Sequence, residues 1–379
     1  MTGVPTVRGG EDTPTSKERG SAMLSSEQTS SAPADTSVNT GSKRPSRRPR
    51  RKQIVVLGIA VALFAGLYAY PFTGANDSIV LTMSTIFMWI ILSTSWNLIS
   101  GFAGYVDFGH AVHFGIGGYV AGILMVKQDL GFLATLPVVV LVCGLFAAVI
   151  GYPLLRLRGV YFSIAMLGAF LAIREIALIA TPLTGGARGL VLPPMVNRVW
   201  FYYVFLVGAA IMVAAAFWIR RSQYGGALLA IRDDEDGAEA RGISTTALKL
   251  FTFVLAACIT GTVGAFWAYQ ATFIDPEIMF RDDFLIAVAL MATLGGLGTA
   301  WGPPVGAVIY LVIQDYVWAN DTSNSFLVVF GALLIVLVLV MPEGIAGTVE
   351  RGDRTVLGRK IQQFKARRTR DESTTEGAR

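Results

Sequence analysis

The stretch FLATLPVVVLVCGLFAAVIGYP, residues 132–153, contains no charged side chain over 22 residues. A helix needs about 20 apolar residues to cross the hydrocarbon core of a bilayer, so this stretch predicts a membrane span. The whole chain has a similar character, because 53% of its 379 residues are hydrophobic and only 15% are charged. Soluble domains carry about 25% charged residues. The composition therefore predicts an all-α polytopic membrane protein and excludes an ordinary soluble domain.

Similar apolar runs recur on both sides of this stretch and predict a transmembrane helix bundle of about ten spans, with eight as the lower bound. Closely spaced glycines and prolines interrupt some runs, which predicts broken or re-entrant segments. Lys and Arg are concentrated before the first run, between alternate runs and after the last, so an even count places both termini in the cytoplasm. The runs lie near 54–73, 79–99, 106–126, 132–153, 160–180, 201–219, 250–271, 284–299, 303–319 and 326–341.

Charge divides the chain into three regions. Residues 1–52 lack Phe, Tyr and Trp and are rich in Ser, Thr and charge, which predicts a disordered basic cytoplasmic tail. Residues 53–347 are predicted to form the transmembrane domain, and residues 348–379 a basic cytoplasmic C-terminal tail. The basic segment before the first span is expected to contact anionic lipid and not nucleic acid.

The loop 220–249 is the most polar part of the predicted membrane domain. Its apolar residues recur at roughly helical spacing and its charged residues lie between them, which predicts a short helical hairpin with one apolar patch. Such a loop could lie on the membrane surface, but anionic lipid would repel its acidic cluster. We therefore favour a docking surface for a cytosolic protein. The patch comprises Ala227, Leu228, Ile231 and Ala238.

The glycine-rich stretch 101–119 contains both histidines of the chain, His110 and His113, which follow Asp107 by three and six residues. Ionisable groups at membrane depth are candidates for function, and we predict that these side chains line or orient a translocation path. Asp107 could instead cap the start of the helix. A metal site is not predicted, because two histidines and one carboxylate have no further ligand nearby.

Two other stretches interrupt the spans. The segment 183–194 combines a Thr-Gly-Gly sequence with two prolines, which predicts a cap or re-entrant loop on the outer face. The segment 294–306 is either a tight hairpin between two spans or an unwound helix of the kind found in transporters.

The chain contains no Gly-Lys dipeptide, so it has no Walker A phosphate loop. We predict a transport subunit that is not an enzyme.

Six ordered blocks between about Ser93 and Gly347 resemble the permeases of branched-chain amino acid ABC transporters, the LivM-like half of a two-permease importer. The blocks are Trp96-Asn97-Leu98 with 101–104, 109–117, 155–162, 183–190, 224–243 and 294–303. The resemblance implies that the loop 220–249 is a coupling helix, whose apolar face inserts into a groove of a cytosolic ATPase.

The resemblance also implies the setting of the protein. Its partners would be a second, LivH-like permease subunit, two ATP-binding subunits, an extracytoplasmic solute-binding protein and membrane lipid, with no nucleic acid. No cofactor would bind this chain, since ATP and Mg²⁺ belong to the partner subunits. The location implied is the cytoplasmic (inner) membrane of a prokaryote.

The expected substrates are branched-chain or related amino acids, carried by alternating access. Asp107 and His113 depart from the family pattern, so an importer of urea, short amides or another small polar solute is the alternative. An ion-coupled secondary transporter is a more distant one.

The residues expected to carry function form two sets, and neither includes a catalytic or metal-binding residue. The substrate-path set is Asn97, Asp107, His110, His113, Gly115, Gly117, Thr184, Gly185 and Gly186. The ATPase-coupling set is Tyr224, Gly225, Ala227, Ala230, Ile231, Arg232, Asp234, Glu235, Glu239, Ala240 and Gly242.

Overall fold

The apolar runs form long helices, because a backbone in apolar surroundings must satisfy its hydrogen bonds internally. The computed structural model describes Gly58 and residues 62–73, 76–194, 197–320 and 344–350. The helices are α1 (Ala62–Phe72), α2 (Asp77–Asn97), α3 (His110–Gln128), α4 (Phe132–Leu154), α5 (Val160–Ile179), α6 (Thr181–Thr184), α7 (Arg198–Arg221), α8 (Gln223–Asp233), α9 (Glu235–Ala240), α10 (Thr245–Ala271), α11 (Pro276–Met279), α12 (Asp282–Gly295), α13 (Gly302–Asn320) and α14 (Gly344–Glu350). Two short strands, β1 (Leu190–Val191) and β2 (Phe273–Ile274), pair antiparallel.

Five helices of the described chain are long and apolar enough to cross a membrane. They are α2 with its π-helical extension Leu98–Phe102, α4, α5, α7 and α10. The predicted count of about ten spans is therefore not confirmed. The predicted run 326–341, the start of the run 54–73 and the tails 1–52 and 351–379 lie outside the described residues. Helix α12 has 14 residues, about 21 Å at 1.5 Å per residue, which is shorter than the hydrocarbon core.

Helix α10 lies at the centre of the bundle and packs on α2, α3 and α4, while α2 also packs on α7, α12 and α13. The contact between α3 and α10 is made by glycines. A Cβ added at Gly117 would overlap the carbonyl oxygen of Gly261, and one added at Gly264 would overlap the carbonyl oxygen of Phe114. Small residues allow such close approach where no water drives helices together.

The segment between α12 and α13 resolves one of the alternatives left by the sequence. Thr299 Oγ1 donates to the carbonyl oxygen of Gly296 over 2.7 Å and accepts from the amide of Gly302 over 3.1 Å. The chain thus turns back on itself within residues 296–301, and α12 packs along α13. Of the two alternatives for this segment, the structure shows the tight hairpin between α12 and α13.

The connections between helices gather at two ends of the bundle. One end, here named the hairpin end, carries α8 and α9; there Arg158 pairs with Asp236 at 2.8 Å. The other, named the strand-pair end, carries β1 and β2; there Lys127 donates to the carbonyl oxygen of Pro182. The loops 155–159 and 222–244 therefore share one end, and 127–131, 181–194 and 272–281 share the other, as the predicted alternation of spans requires.

Candidate functional site

The loop 220–249 folds into the predicted helical hairpin, which is formed by α8 and α9. Ser222 caps α8, since its Oγ accepts the amide of Gly225 over 3.2 Å. After α9 the chain reverses at Gly242, whose φ of +85° is a left-handed conformation that favours glycine. The Gly242 amide donates to the carbonyl oxygen of Glu239 over 2.8 Å. Gly242 therefore ends the helix as predicted.

Three of the four residues of the predicted apolar patch are buried, and the fourth, Ala227, is half-buried. Leu228, Ile231 and Ala238 are each at most 3% exposed, because this face packs against the protein's own helices. The prediction that the patch is offered to a cytosolic partner is therefore wrong. The side chains that the hairpin leaves exposed are mostly charged, and they include Asp233, Asp236, Glu239 and Arg241.

Arg232 ties the hairpin to the end of the first broken helix. Its Nη1 donates to the carbonyl oxygen of Gly101 over 2.6 Å. Gly101 lies in the π-helical segment Leu98–Phe102, a geometry that recurs at functional sites. Carbonyl groups at a helix end lack helical partners and carry partial negative charge, which suits a guanidinium. A Cβ at Gly104 would lie 2.9 Å from Arg232 Cγ, so Arg232 packs closely over this glycine.

Asn97 joins this first break to the hairpin between α12 and α13. Its Nδ2 donates to the carbonyl oxygen of Thr299 over 3.0 Å, and its Oδ1 accepts the amide of Gly298 over 2.9 Å. The side chain is fully buried. The structure thus places Asn97 as a bridge between two irregular segments 201 to 202 residues apart in the chain. Its role in a substrate path stays a prediction.

Lys249 makes a second connection between the hairpin and the membrane helices, and it is not among the predicted site residues. Its Nζ donates to Glu235 Oε1 over 2.6 Å, to the hydroxyl of Tyr105 over 2.9 Å and to the carbonyl oxygen of Leu155 over 3.1 Å. The Tyr105 hydroxyl donates to Glu235 Oε2 over 2.5 Å. The three side chains Tyr105, Glu235 and Lys249, here named the buried trio, form a closed ring. The available signal was a lysine within the first turns of an otherwise uncharged span.

The buried trio also sets the protonation of its carboxylate. Burial raises the pKa of Glu235, but the hydrogen bonds from Lys249 and Tyr105 and the charge of Lys249 outweigh burial and leave the pKa below its usual value. Glu235 is therefore ionised at neutral pH. Since its folded-state pKa is depressed, this stabilisation is present above the unfolded pKa of about 4.3 and is lost as the pH falls through the folded value.

The other predicted coupling residues lie on or beside the hairpin. The hydroxyl of Tyr224 is 2.5 Å from Thr252 Oγ1, and Glu239 Oε1 accepts from Thr245 Oγ1 over 2.5 Å. Gly225 is buried, Ala227 and Ala230 are half-buried, and Asp234, Ala240 and Gly242 are exposed.

Asp107 and His110 are buried at the start of α3. Asp107 Oδ1 accepts the amide of Gly109 over 2.7 Å, and its Oδ2 lies 3.5 Å from His110 Nδ1. The other ring nitrogen of His110 lies 2.8 Å from Thr260 Oγ1 on α10. Both side chains are 1% exposed. The bond from Asp107 to Gly109 lies in the turn before α3, whose N-cap, Gly109, has no side-chain cap. Both the capping role of Asp107 and its contact with a substrate therefore stay predictions.

His113 is also 1% exposed but is bonded differently. Its ring packs edge-on against Phe146 and Phe253, with centroids 6.0 and 5.2 Å away. Within the described residues neither ring nitrogen has a hydrogen-bond partner. An unpaired buried polar group costs about 1–3 kcal/mol, so His113 destabilises the fold as the structure shows it.

Replacing His113 by phenylalanine is therefore expected to stabilise the protein by about 1 kcal/mol or more, because the ring shape is kept and both unpaired nitrogens are removed. The measurement is heat-induced labelling of the buried thiol of Cys143 in detergent, with the half-buried Cys258 replaced by serine in every variant. His110→Phe is the control and should lower the midpoint, since it removes the contact with Thr260. A fall of similar size in the labelling midpoint of both variants would contradict the conclusion that the His113 ring nitrogens are unpaired.

The remaining predicted path residues are packed. A Cβ at Gly115 would overlap the ring of Phe280, and Gly117 contacts α10 as described above. Thr184 Oγ1 donates to the carbonyl oxygen of Ala177 over 2.6 Å and accepts the amide of Gly186 over 3.1 Å. Gly185, with a φ of +78°, ends α6. The segment 181–191 is thus folded at the strand-pair end, and its role as a cap over a pore stays a prediction.

A cavity of about 600 Å³ also opens near the strand-pair end. Its lining is mostly aromatic and apolar, and the predicted path residues are not among the described residues that line it. The lining residues are Gly131, Phe132, Leu133, Ala134, Asn197, Trp200, Phe201 and Tyr269.

Comparison with known proteins gives one consistent result. Residues 78–338 match the family described as the permease component of the branched-chain amino acid transport system. The chain is 28% identical to the high-affinity branched-chain amino acid transport permease LivM of Salmonella typhimurium, over 75% of this chain and 73% of that protein. It is 27% identical to LivH of Escherichia coli, over 69% of this chain and 92% of that protein. No solved structure matches the chain significantly.

Proposed function

This chain belongs to the family of permease components of branched-chain amino acid transport systems, and from that premise we propose that it is the membrane-spanning subunit of an ATP-driven importer. The proposed substrates are branched-chain or closely related amino acids, and branched-chain amino acids are the substrates named for its LivM and LivH relatives. The chain is proposed to act without an ATPase site of its own.

The observation that carries this proposal is the attachment of the hairpin α8–α9. Its apolar face is buried and its exposed face is charged, while Arg232 and Glu235 tie it to the irregular segment 101–105. A surface loop with no mechanical role would not need two ties to a broken transmembrane helix. We propose that an ATPase docks on the exposed charged face and that its closure moves the hairpin, which shifts the helices between inward- and outward-facing states.

The proposed assembly contains a LivH-like second permease, two ATP-binding subunits that hold ATP and Mg²⁺, and a solute-binding protein at the strand-pair end. In this assembly the hairpin end and both termini of the chain lie in the cytoplasm of a prokaryote. The similarity of this chain to both LivM and LivH supports a pair of related permeases.

The test is uptake of labelled leucine by proteoliposomes that contain this chain, its second permease and the ATP-binding subunits, with the solute-binding protein outside. Uptake is expected with ATP inside and not with a non-hydrolysable analogue. Uptake of urea or acetamide in place of leucine would favour the alternative substrates. Uptake by this chain alone, driven by an ion gradient, would refute the proposal.

Charge reversal on the exposed face tests the docking surface. Asp233→Lys with Arg241→Glu is expected to lower co-purification of the ATP-binding subunit about tenfold, because opposed like charges cost several kcal/mol at an interface. Both residues are exposed. Glu277→Lys is the matched control, since Glu277 is exposed at the strand-pair end and its reversal should leave co-purification unchanged. Equal losses in both variants would place the ATPase elsewhere.

A further inference from the structure

We propose that Lys249 is a positioning residue that locks the hairpin to the broken helix, so that movement of the hairpin reaches the membrane helices. This inference rests on the proposed function. The buried trio would be the rigid connection, and Gly104 would be the pivot.

The hydrogen bonds of Lys249 are complete and come from separate parts of the fold. An ammonium group has three donors, and here they reach Glu235 of α9, Tyr105 of the segment 103–109 and the carbonyl oxygen of Leu155, which caps α4. The Nζ also lies 4.4 Å from the centre of the Tyr105 ring, a favourable cation–π distance. One side chain of α10 thus holds the hairpin, the broken segment and α4 together.

Burying the charges of Lys249 and Glu235 costs free energy. This cost indicates that the pair fixes the orientation of the hairpin and does not only hold the two segments together. The side chains of Lys249 and Glu235 are 2% and 15% exposed. Apolar residues of similar size would commonly hold two segments together as well or better. A nearby pair, Arg158 with Asp236, joins the same hairpin to the loop after α4 but is 55% and 74% exposed. Exposed pairs contribute little, so the rigid attachment is the buried one.

The two ties of the hairpin lie on opposite sides of one glycine. Arg232 holds the carbonyl oxygen of Gly101, before Gly104, and Glu235 holds the hydroxyl of Tyr105, after it. Gly104 has a φ of +80°, a conformation that a side chain would disfavour. Hinges are a few loop residues that absorb changes in φ and ψ. Movement of the hairpin would therefore act across Gly104 and change the angle between α2 and α3.

The experiment compares Lys249→Met, the double variant Lys249→Met with Glu235→Gln, and the control Arg158→Gln in the assembled, reconstituted transporter. The double variant is included because Lys249→Met alone leaves a buried carboxylate unpaired and endangers folding. Three quantities are measured: the amount of assembled complex, the ATPase rate per complex, and the leucine taken up per ATP hydrolysed.

The double variant is expected to assemble and to hydrolyse ATP at close to the wild-type rate, while uptake per ATP falls about tenfold, the size expected when a coupling contact is lost. Arg158→Gln should keep the wild-type ratio. Wild-type uptake per ATP in the double variant would overturn the inference and leave the proposed function intact. A loss of assembled complex in all Lys249 variants, with no change in the ratio, would assign Lys249 to folding alone and also overturn it. Absence of ATP-driven uptake in the wild type would instead refute the proposed function.

Discussion

Replacing Gly117 by valine is expected to prevent the chain from accumulating as folded protein. A Cβ at this position would overlap the carbonyl oxygen of Gly261 in α10, and a backbone atom cannot move away by a change of rotamer. Separating α3 from α10 would disturb the largest helix contact in the described fold. Overpacking of well-packed interiors costs about 1–3 kcal/mol or more, and backbone overlap lies at the upper end. The measurement is the yield of monodisperse protein in detergent.

The matched control is Gly168→Val, another glycine-to-valine change within a transmembrane helix. A Cβ at Gly168 in α5 would have no neighbouring atom within 4 Å among the described residues. We expect normal yield and a thermal midpoint within a few degrees of the wild type, because valine costs no more than glycine in a helix interior. Equal yields for Gly117→Val and Gly168→Val would show that α3 and α10 do not approach as described.

Replacing Asn97 by alanine is expected to destabilise the protein by about 3 kcal/mol or more, because it leaves the buried amide of Gly298 and carbonyl of Thr299 unpaired at about 1–3 kcal/mol each. Both bonds are between 2.9 and 3.0 Å in the structure. The first break and the hairpin between α12 and α13 then lose their shared partner. Thermal labelling of Cys143 measures the change in stability.

Asn76→Ala provides the control for this substitution. Asn76 is exposed and its Oδ1 accepts the amide of Ser78 at the start of α2, so its loss should cost about 1 kcal/mol. If Asn97→Ala costs no more than Asn76→Ala, then the side chain does not bridge the two breaks.

Local features of the sequence were sufficient to predict the helical hairpin and to predict which loops share an end of the bundle. Glycine at 242 and the helical spacing of apolar residues between 227 and 238 depend only on neighbouring residues. The same spacing did not show what the apolar face contacts. A periodic apolar stripe predicts that a face will be buried, but the partner that buries it is set by the three-dimensional arrangement, and here it is the protein itself.

The candidate site shows the same division. Arg232 and Glu235 were identified from the sequence because they belong to a conspicuous charged loop. Lys249 and Tyr105 were not identified, because these two residues are 144 positions apart in the sequence and meet only in the fold. The two histidines and Asp107 attracted attention as the ionisable groups of a glycine-rich stretch, whereas their burial and the lack of a partner for His113 are visible only in the fold.

Three properties of the chain could be predicted from its residues: a helical, membrane-spanning character, the loops that share an end, and the family. Hydropathy, charge bias and short motifs carry these properties, because each depends on contiguous residues. Only the folded chain shows that the hairpin turns its apolar face inward and that Lys249 closes a ring with Glu235 and Tyr105. The same holds for the contacts that the hairpin makes on both sides of Gly104, from Arg232 to Gly101 and from Glu235 to Tyr105. The physical reason is that a buried charge or an orphan carbonyl must find its partner in space, and the distance along the chain does not limit which partner it finds.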